Sequence, residues 1–377
     1  MPHITLGLEE ELQVVDVHTL ALVAHDVAAG QAQFPDANGT SCGEAHHCVL
    51  EVQTPVCQNP DEVLVSLGQM RGVAMLRAQA QGQRVAAGGA HPFAHWQSLT
   101  VRDDRERYPH YARIVDEYQD VVRSMCTCGT HLHIGVDDAR LRVHLLNGLR
   151  HVMPPVLALS ASSPFHEGRD TGLATWRHSL LDRMPRMGTA EPWASEPAYW
   201  EHVRKLQATG CIEPGFNLWG DIRLHHRFPT VEVRVLDAMP RLSRNWLVTT
   251  LLFLEAHRLV HEAEQGVVPV YLPRELINEN KWRVRRYGMN ARVVDWSREM
   301  ELPLEQHLWA WADQLAPYAR QHGLDERLRQ ALAEAMEEGS SSDEQRSVFA
   351  KTGQMTAVVA HLVEQTSQSW ASAEVAA

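Results

Sequence analysis

The stretch Thr230-Val231-Glu232-Val233-Arg234-Val235-Leu236-Asp237 has the most regular alternation of apolar and polar residues in the chain. Side chains on a β-strand point alternately to its two faces, so the valines share one face while Glu232 and Arg234 share the other. The pattern predicts a strand with a core face and a polar face. Residues 221–224 form a second strand candidate across a turn at 226–229, and the two together predict a hairpin.

Residues 3–17 repeat this pattern near the start of the chain. Leucine and valine side chains fall on one face, and Glu9 and Glu11 fall on the other. Glu10 points to the apolar side. An exposed acidic edge strand would also fit, but the apolar neighbours favour a core strand, in which unpaired carboxylates are costly.

Two further strand candidates carry polar groups among apolar neighbours. The stretch Gly129-Thr130-His131-Leu132-His133-Ile134-Gly135 places His131 and His133 on one face. Val49-Leu50-Glu51-Val52-Gln53 contains Glu51, and Glu44 lies seven residues earlier. Each segment alone also fits a polar sheet face. Four such strands together predict one antiparallel sheet with a face lined by Glu and His.

A face of this composition is suited to hard divalent cations. Two carboxylates on one strand face, about 7 Å apart, repel each other unless a cation lies between them. Oxygen-rich sites with few imidazoles and no thiolates favour Mg²⁺ or Mn²⁺ over zinc. Mg²⁺ sites of this kind usually hold nucleotide phosphates. The sequence therefore predicts a metal face that binds a nucleotide.

The densest basic run is Lys281-Trp282-Arg283-Val284-Arg285-Arg286-Tyr287-Gly288. It fits either a solvated helix face or a phosphate clamp opposite the metal face, because phosphoryl transfer needs positive charge around the moving group. Neither GxGxxG nor GxxxxGK[ST] occurs in the chain. Rossmann and P-loop modes of nucleotide binding are therefore unsupported.

Composition excludes several classes of protein. The 377 residues contain 35 Lys and Arg against 47 Asp and Glu, a net charge of −12. This balance disfavours a nucleic-acid or anionic-membrane surface. Six cysteines without a CxxC pair indicate reduced thiols, and we find neither a signal peptide nor an apolar run long enough to cross a bilayer. These features predict a cytoplasmic protein.

The remaining chain is mostly helical in pattern. Helices are expected from the cap Asn59 to about residue 82, at 109–124 and 138–151, and from Ser243 to about 265. From 273 onward the pattern is helical to the end, with breaks at 288, 303, 339–342 and 353. Pro154-Pro155 and residues 162–197 are expected to be irregular. This order predicts an α+β fold, an antiparallel sheet with helices packed behind it. We expect a catalytic domain at 1–300 and an acidic helical extension at 301–377 packed on it.

Six ordered motifs together resemble the carboxylate–amine ligases, and more narrowly the type 2 glutamate–cysteine ligases. They lie between residue 7 and about residue 295. In order they are Gly7-Leu8-Glu9-Glu10-Glu11, Leu50-Glu51-Val52-Gln53-Thr54-Pro55, the 129–135 stretch, Ser162-Ser163-Pro164-Phe165 with Gly168-Arg169-Asp170-Thr171-Gly172, the 230–237 stretch, and Asn280-Lys281-Trp282-Arg283 with Arg286-Tyr287-Gly288.

The resemblance implies a glutamine-synthetase-like fold, with the sheet curved around the active site, and roles for individual residues. Metal ligands would be Glu9, Glu11, Glu44, Glu51, His131 and Glu232. His133, Lys281 and Arg283 would contact the nucleotide. Arg234 and Arg286 would hold the γ-phosphate or the acyl phosphate. Arg177 and Thr171 would bind the substrate carboxylate.

The implied reaction is ATP- and Mg²⁺-dependent amide formation through an acyl phosphate, with Mn²⁺ as an alternative metal. The implied substrates are a glutamate-like carboxylate and a cysteine-like amine, and the implied assembly is a homodimer. His166 stands where the family usually has an aromatic residue after Ser-Pro-Phe, in the section that the resemblance assigns to the substrate pocket. Two alternatives remain open: a metal-dependent phosphotransferase on the same fold, and a non-catalytic nucleotide-binding relative.

Overall fold

The computed structural model describes residues 3–25, 32–33, 39–213, 218–267 and 271–374, and within these ranges twelve segments form β-strands. They are β1 Thr5–Asp16, β2 Ala32–Gln33, β3 Thr40–Gly43, β4 Val49–Gln53, β5 Gln83–Ala86, β6 Gly129–Gly135, β7 Phe165–His166, β8 Arg169–Asp170, β9 Ile222–Leu224, β10 Thr230–Asp237, β11 Arg292–Asp295 and β12 Met300–Pro303.

Eight of these strands form one sheet in the order β2-β3-β4-β1-β6-β10-β9, with β5 paired to β1. Every pairing in this sheet is antiparallel. The long strand β1 lies at the centre because its apolar side chains, such as Leu8 and Leu12, need cover on one face. The predicted α+β class and antiparallel sheet are confirmed.

Thirteen α-helices lie within the described ranges. They are α1 Pro60–Gln79, α2 Pro109–Tyr118, α3 Asp120–Arg123, α4 Ala139–Leu149, α5 Met153–Ser160, α6 Arg177–Leu181, α7 Glu196–Ala208, α8 Leu242–Glu264, α9 Arg274–Tyr287, α10 Leu304–Gln321, α11 Asp325–Glu338, α12 Ser341–Thr352 and α13 Met355–Glu374. Helices α1, α5 and α8 pack on the apolar face of the sheet. On the opposite face, Val15 packs on apolar residues of α13 at the β5 end, and the part around Glu9 and Glu11 is left for polar groups.

A buried ion pair ties α1 to the apolar face. Glu10 is fully buried and accepts hydrogen bonds from Arg71 Nε at 2.7 Å and Nη2 at 2.5 Å. The same guanidinium donates to the carbonyls of Met239 and Pro240, both at 2.6 Å. These bonds compensate for the removal of both charges from water.

The expectation of an irregular section at 162–197 was wrong in part. It contains the short hairpin of β7 and β8, the helix α6 and the start of α7. Just before it, Pro154 and Pro155 lie in the first turn of α5, not in a loop. The first turn of a helix leaves its N–H groups without intrahelical partners, so prolines are tolerated there.

The expectation of helix after residue 273, broken only at 288, 303, 339–342 and 353, was wrong between the first two breaks. Strands β11 and β12 form a hairpin between α9 and α10. Asp295 closes its turn, because its carboxylate accepts hydrogen bonds from the Ser297 N–H at 3.0 Å and the Ser297 hydroxyl at 2.6 Å. Asp side chains favour such turns over helix interiors.

The C-terminal helices pack on the rest of the chain. Leu308 of α10 and Leu332 of α11 belong to the same hydrophobic cluster as the sheet strands. Gln345 of α12 donates a 2.9 Å hydrogen bond to the Ser162 carbonyl, and Thr366 of α13 accepts one from the Ala87 N–H at 3.0 Å. Among the described residues, no helix is both long and apolar enough to cross a membrane.

Candidate active site

Strand register gathers the predicted polar residues on one sheet face. On either side of β1, Glu9 lies opposite His131 of β6, and Glu11 lies opposite Glu51 of β4. On the far side of β6, Glu232 of β10 lies opposite His133. Because paired residues on neighbouring strands point the same way, four separate sequence segments form one site.

Three groups of side chains have ligand atoms within 4.8 Å of one another in the described part of the chain. They are Glu9 with Glu51 and His131, Glu9 with His133 and Glu232, and Cys42 with Glu44 and Glu51. Glu9 belongs to two groups, as does Glu51, so the three groups form one continuous row of side chains, which we call the carboxylate row. The donors of the first two groups are carboxylates and imidazoles, a set that fits a hard divalent cation such as Mg²⁺ or Mn²⁺.

Glu9 lies between the two histidines. His131 Nδ1 is 3.4 Å from Glu9 Oε2, and His133 Nε2 is 3.4 Å from Glu9 Oε1. Burial acts to raise the pKa of Glu9, but the hydrogen bonds from both imidazoles outweigh it and hold that pKa well below its usual range. Glu9 is therefore ionised, as a metal ligand must be, and its position also brings His133 into one of the three groups.

For Glu44 and Glu51, neighbouring groups do not offset the effect of burial on the pKa as they do for Glu9. Burial, together with the negative charge of neighbouring carboxylates, raises the pKa of Glu44 to about 7 and that of Glu51 well above its ordinary value. Gln53 donates a 2.6 Å hydrogen bond to Glu51, and Tyr111 donates one of 3.3 Å to Glu44. Several buried carboxylates with too little neighbouring positive charge are an arrangement that a divalent cation would neutralise.

Glu232 is held by two arginines. Arg223 of β9 donates to it from Nε at 2.7 Å and from Nη2 at 3.1 Å, and Arg234 donates from Nη1. Burial acts to raise the pKa of Glu232, but Arg223 and Arg234 lower it well below its usual range. The two guanidiniums place positive charge at the Glu232 end of the carboxylate row, where phosphate oxygens could be held.

Glu11 has a different environment from the other predicted ligands. Its carboxylate accepts a 2.5 Å hydrogen bond from the Gly129 N–H. Within the described ranges it belongs to none of the three groups with metal-binding spacing. Burial raises the pKa of Glu11, and nearby Arg177 acts in the opposite direction. A metal role for Glu11 thus remains a prediction.

The basic side chains within 281–286 that were predicted to contact the nucleotide or its phosphates lie in different environments. Lys281 is buried and donates to both oxygens of Asp221, at 2.8 and 2.7 Å. Arg283 pairs with Glu279 and Glu301 near the protein surface. Arg286 donates to the carbonyl of Gly172, next to Thr171. Of these three residues, only Lys281 makes a direct contact with a residue that lines the cleft, namely Asp221.

A cleft of about 650 Å³ opens over the polar face. Glu9, Glu51, His131, Arg177 and Arg234 line it. Among the described lining residues, Lys281, Arg283, Arg286 and Thr171 do not occur. The structure therefore does not place the predicted phosphate clamp in the cleft, because those side chains are engaged by neighbouring acids and carbonyls.

A second cavity of about 320 Å³ adjoins the first. Glu9 and Gln53 line both, and His133 lines the second. Its outer part is mainly apolar and includes Val56 and Phe228, two large side chains that are more than half exposed. The carboxylate row thus lies where a charged cleft and an apolar cavity meet.

Sequence reasoning missed several residues of the site. Gln53 shares the face of Glu51 by strand alternation, so its position was readable. Arg223 lies opposite Glu232 in the predicted hairpin and could have been inferred from its register. Cys42 and Asp221 carried no comparable signal, since only the folded chain brings Asp221 to the cleft and Cys42 beside Glu44 and Glu51.

The chain is similar to a family model described as glutamate–cysteine ligase family 2 over residues 5–361. A relative from Solibacter usitatus, provisionally named glutamate–cysteine ligase 2, is 33% identical over 370 residues, covering 97% of this chain and 94% of the relative. A relative of the same provisional name from Rhodospirillum rubrum is 34% identical over 378 residues, covering 97% and 96%.

Solved structures share the fold. A bifunctional glutathione synthetase from Pasteurella multocida has a TM-score of 0.72 at 13% identity, covering 98% of this chain, which spans 52% of that enzyme's chain. A glutamate–cysteine ligase from Francisella tularensis, solved with AMP, has a TM-score of 0.65 at 12% identity, covering 100% of this chain and 94% of its own. At these identities the likeness concerns the fold.

Proposed function

Because the chain belongs to glutamate–cysteine ligase family 2, we propose that its cleft joins a glutamate-like carboxylate to a cysteine-like amine with the hydrolysis of ATP. The observation that carries this proposal is the row of carboxylates and imidazoles on one sheet face, which ends at paired arginines. Family membership also confirms the predicted enzyme class, an ATP-dependent carboxylate–amine ligase.

The reaction class explains why such a site is needed. A carboxylate is a poor acceptor for an amine, because the oxygen that must leave is a poor leaving group. Transfer of the γ-phosphoryl group of ATP to the carboxylate gives an acyl phosphate, and attack by the amine then releases inorganic phosphate. Catalysis of phosphoryl transfer consists mainly of positioning and charge stabilisation.

The proposed metal ligands are those of the carboxylate row. Glu9, Glu44, Glu51, His131 and Glu232 would hold Mg²⁺ or Mn²⁺, and His133 has the geometry to join them. When bound, such a cation neutralises phosphate oxygens and fixes their orientation. Arg234, which lines the cleft, would place a fixed positive charge beside the transferring group.

The two cavities provide separate places for the substrates. We assign the nucleotide base to the 320 Å³ cavity, where Phe228 and Val56 offer an apolar surface and Glu9 and His133 lie at the inner end. The carboxylate and amine substrates would occupy the larger cleft with Arg177. The phosphates of the nucleotide would then lie across the carboxylate row.

Phe228→Ala tests the nucleotide assignment. Loss of a stacking surface should raise the KM for ATP about tenfold, by the usual worth of a base–aromatic contact, and leave the KM for the amine unchanged. Trp282→Ala removes another half-exposed aromatic side chain that lines neither cavity and serves as the control. An unchanged KM for ATP in the Phe228 variant contradicts the assignment.

A screen of carboxylate and amine pairs tests the proposed function itself. We expect release of ADP and phosphate only when Mg²⁺ and both substrates are present, with one amide detected by mass for each phosphate. ATP turnover that no pair stimulates would rule out the ligase proposal. A stable phosphorylated product without an amide would instead indicate a phosphotransferase.

We place the reaction in the cytoplasm. There the six cysteines of the protein, none of which forms a disulfide in the structure, would remain reduced. The acidic net charge supports small-molecule substrates over nucleic acid. A homodimer stays a prediction from the family resemblance.

A further inference from the structure

The guanidinium of Arg177 is held at the floor of the cleft in an unusual environment. Arg177 begins α6, is 3% exposed, and lines the cleft. Its Nη atoms lie 3.4 and 3.5 Å from the carbonyl oxygen of Arg234, at the limit of hydrogen bonding. Its Nε is buried, and no described protein atom accepts a hydrogen bond from it. A buried donor without an acceptor is costly, which indicates a place for a ligand.

A fully buried carboxylate lies behind this guanidinium. Asp237, at the end of β10, is 0% exposed, and its Oδ1 is 3.9 Å from Arg177 Nη1. Three donors fix its orientation: the Thr175 hydroxyl at 3.0 Å, the Ser163 hydroxyl at 2.7 Å and the Ser162 N–H at 3.0 Å. Asp237 therefore cannot rotate toward another partner.

The same network reaches the backbone of Arg177. The Ser163 hydroxyl, which donates to Asp237, accepts a 3.1 Å hydrogen bond from the Arg177 N–H. Ser163 thus connects the carboxylate to the residue whose side chain the carboxylate faces. The backbone of Arg177 is thus tied to Asp237 by hydrogen bonds through Ser163, and its guanidinium faces the same carboxylate at 3.9 Å.

Two glycines make room for this arrangement. A Cβ atom on Gly129 would come within 2.2 Å of Arg177 Nη2, and one on Gly89 would come within 2.6 Å of Asp237 Oδ2. Gly129 lies directly opposite Asp237 in the pairing of β6 with β10. The guanidinium therefore lies over the strand that carries His131, between Asp237 and the carboxylate row.

We infer that Asp237 is a positioning residue that holds the guanidinium of Arg177. Held in this way, the guanidinium binds the one carboxylate of the substrate that is not phosphorylated in the reaction. A dicarboxylic substrate such as glutamate needs one carboxylate at the phosphoryl donor and an anchor for the other. A guanidinium fixed by Asp237 supplies a planar fork for that anchor. This inference rests on the proposed function.

Kinetics of Asp237→Asn test the inference. The change keeps the size of the side chain and removes its charge, so the KM for the carboxylate substrate should rise about ten- to one-hundred-fold, while the KM for ATP stays within about twofold. Thr175→Val, which removes one donor to Oδ1, should raise the same KM by a smaller factor. Glu10→Gln, in another buried carboxylate that pairs with an arginine, is the control and should leave the ratio of the two KM values unchanged.

A double-mutant cycle separates positioning from a general effect on the fold. Arg177→Lys keeps the charge but loses the fork, so adding Asp237→Asn to it should raise the KM for the carboxylate little further. Multiplicative effects of the two changes, or an unchanged KM in Asp237→Asn, would overturn the inference.

A chemical measurement does not depend on turnover. An arginine-selective dicarbonyl reagent, followed by peptide mass mapping, should modify Arg177 slowly in the native protein and several-fold faster in Asp237→Asn. Equal rates would overturn the positioning role even if the ligase reaction is confirmed. Faster modification in a protein that joins no carboxylate and amine would leave the positioning role intact and refute the proposed function alone.

Discussion

At the scale of single residues, Glu9 has the central position in the site. Its carboxylate belongs to two of the three groups with metal-binding spacing, and it lines both cavities. The sequence placed Glu9 on a polar strand face, but its two histidine neighbours became evident only from the pairing of β1 with β6.

Glu9→Gln should therefore abolish metal-dependent turnover. The amide keeps the shape but is a weak metal ligand, and we expect a loss of more than about 100-fold, since even outer partners of metal ligands contribute about 10–100-fold. Mn²⁺ binding, measured by paramagnetic resonance, should weaken in parallel. Glu201→Gln, on the exposed surface of α7, is the control. Retained Mn²⁺ affinity in Glu9→Gln would contradict the assignment.

Mg²⁺ affinity should increase with pH. The pKa of Glu44 is raised to about 7, so at pH 6 this carboxyl is largely protonated in the metal-free protein and must lose its proton to bind the cation. Burial and neighbouring carboxylates also raise the pKa of Glu51, which acts in the same direction. Calorimetric titration at pH 6, 7 and 8 should show progressively tighter binding, and Glu44→Gln should flatten the trend. A pH-independent affinity in the native protein would contradict the role of these carboxylates.

The same carboxyls link stability to pH with a definite sign. A carboxyl whose pKa is higher in the folded than in the unfolded state stabilises the fold at low pH, and this contribution is lost as pH rises from about 4.5 to 7. Mg²⁺ should restore it by neutralising the ionised groups. We expect Mg²⁺ to raise the Tm more at pH 8 than at pH 5, and an equal increase at both would count against this linkage.

At the scale of elements, the ion pair of Glu10 and Arg71 connects β1 to α1. Removing one partner leaves a buried charge without compensation, so Arg71→Met should lower the free energy of unfolding by about 3–5 kcal/mol. Glu10→Leu together with Arg71→Met should lower it less, because no charge remains buried. Urea unfolding of the single and double variants measures both values, and equal losses would contradict the claim that an uncompensated buried charge is the main cost.

Strands and helices with strong local signals were predictable. Asn59 caps α1 as expected, since its side chain accepts from the Glu62 N–H at 2.9 Å, and β1 and β10 follow their alternating patterns. The hairpin of β11 and β12 was missed because its strands have only four residues each. Short strands lack the repeated alternation by which longer ones are recognised.

The site was predictable as a set of residue types but not as a set of contacts. Strand alternation and the family resemblance together identified Glu9, Glu51, His131 and Glu232. Asp237 was seen only as the end of a strand, because its partners Ser163 and Thr175 are more than 60 residues away in sequence. Contacts over such separations depend on tertiary structure, which local patterns do not encode.

At the scale of the whole molecule, the C-terminal helices share the core of the sheet domain. Leu308, Trp311 and Leu315 of α10 are buried in the same cluster as α8. We therefore expect residues 1–300 alone not to fold, because the apolar face of α8 would be exposed to water. Circular dichroism of this fragment should lack a cooperative thermal transition, and a folded, active fragment would show that 301–377 is a separable extension.

The transfer of oxygen from substrate to phosphate tests the central claim most directly. A glutamate-like substrate with oxygen-18 in the reacting carboxylate should yield inorganic phosphate that carries one labelled oxygen for each amide formed, because the carboxylate oxygen attacks phosphorus and leaves with it. Mass analysis of the phosphate measures this transfer. Unlabelled phosphate released together with the amide would contradict the acyl-phosphate route and the roles that we assign to the metal face.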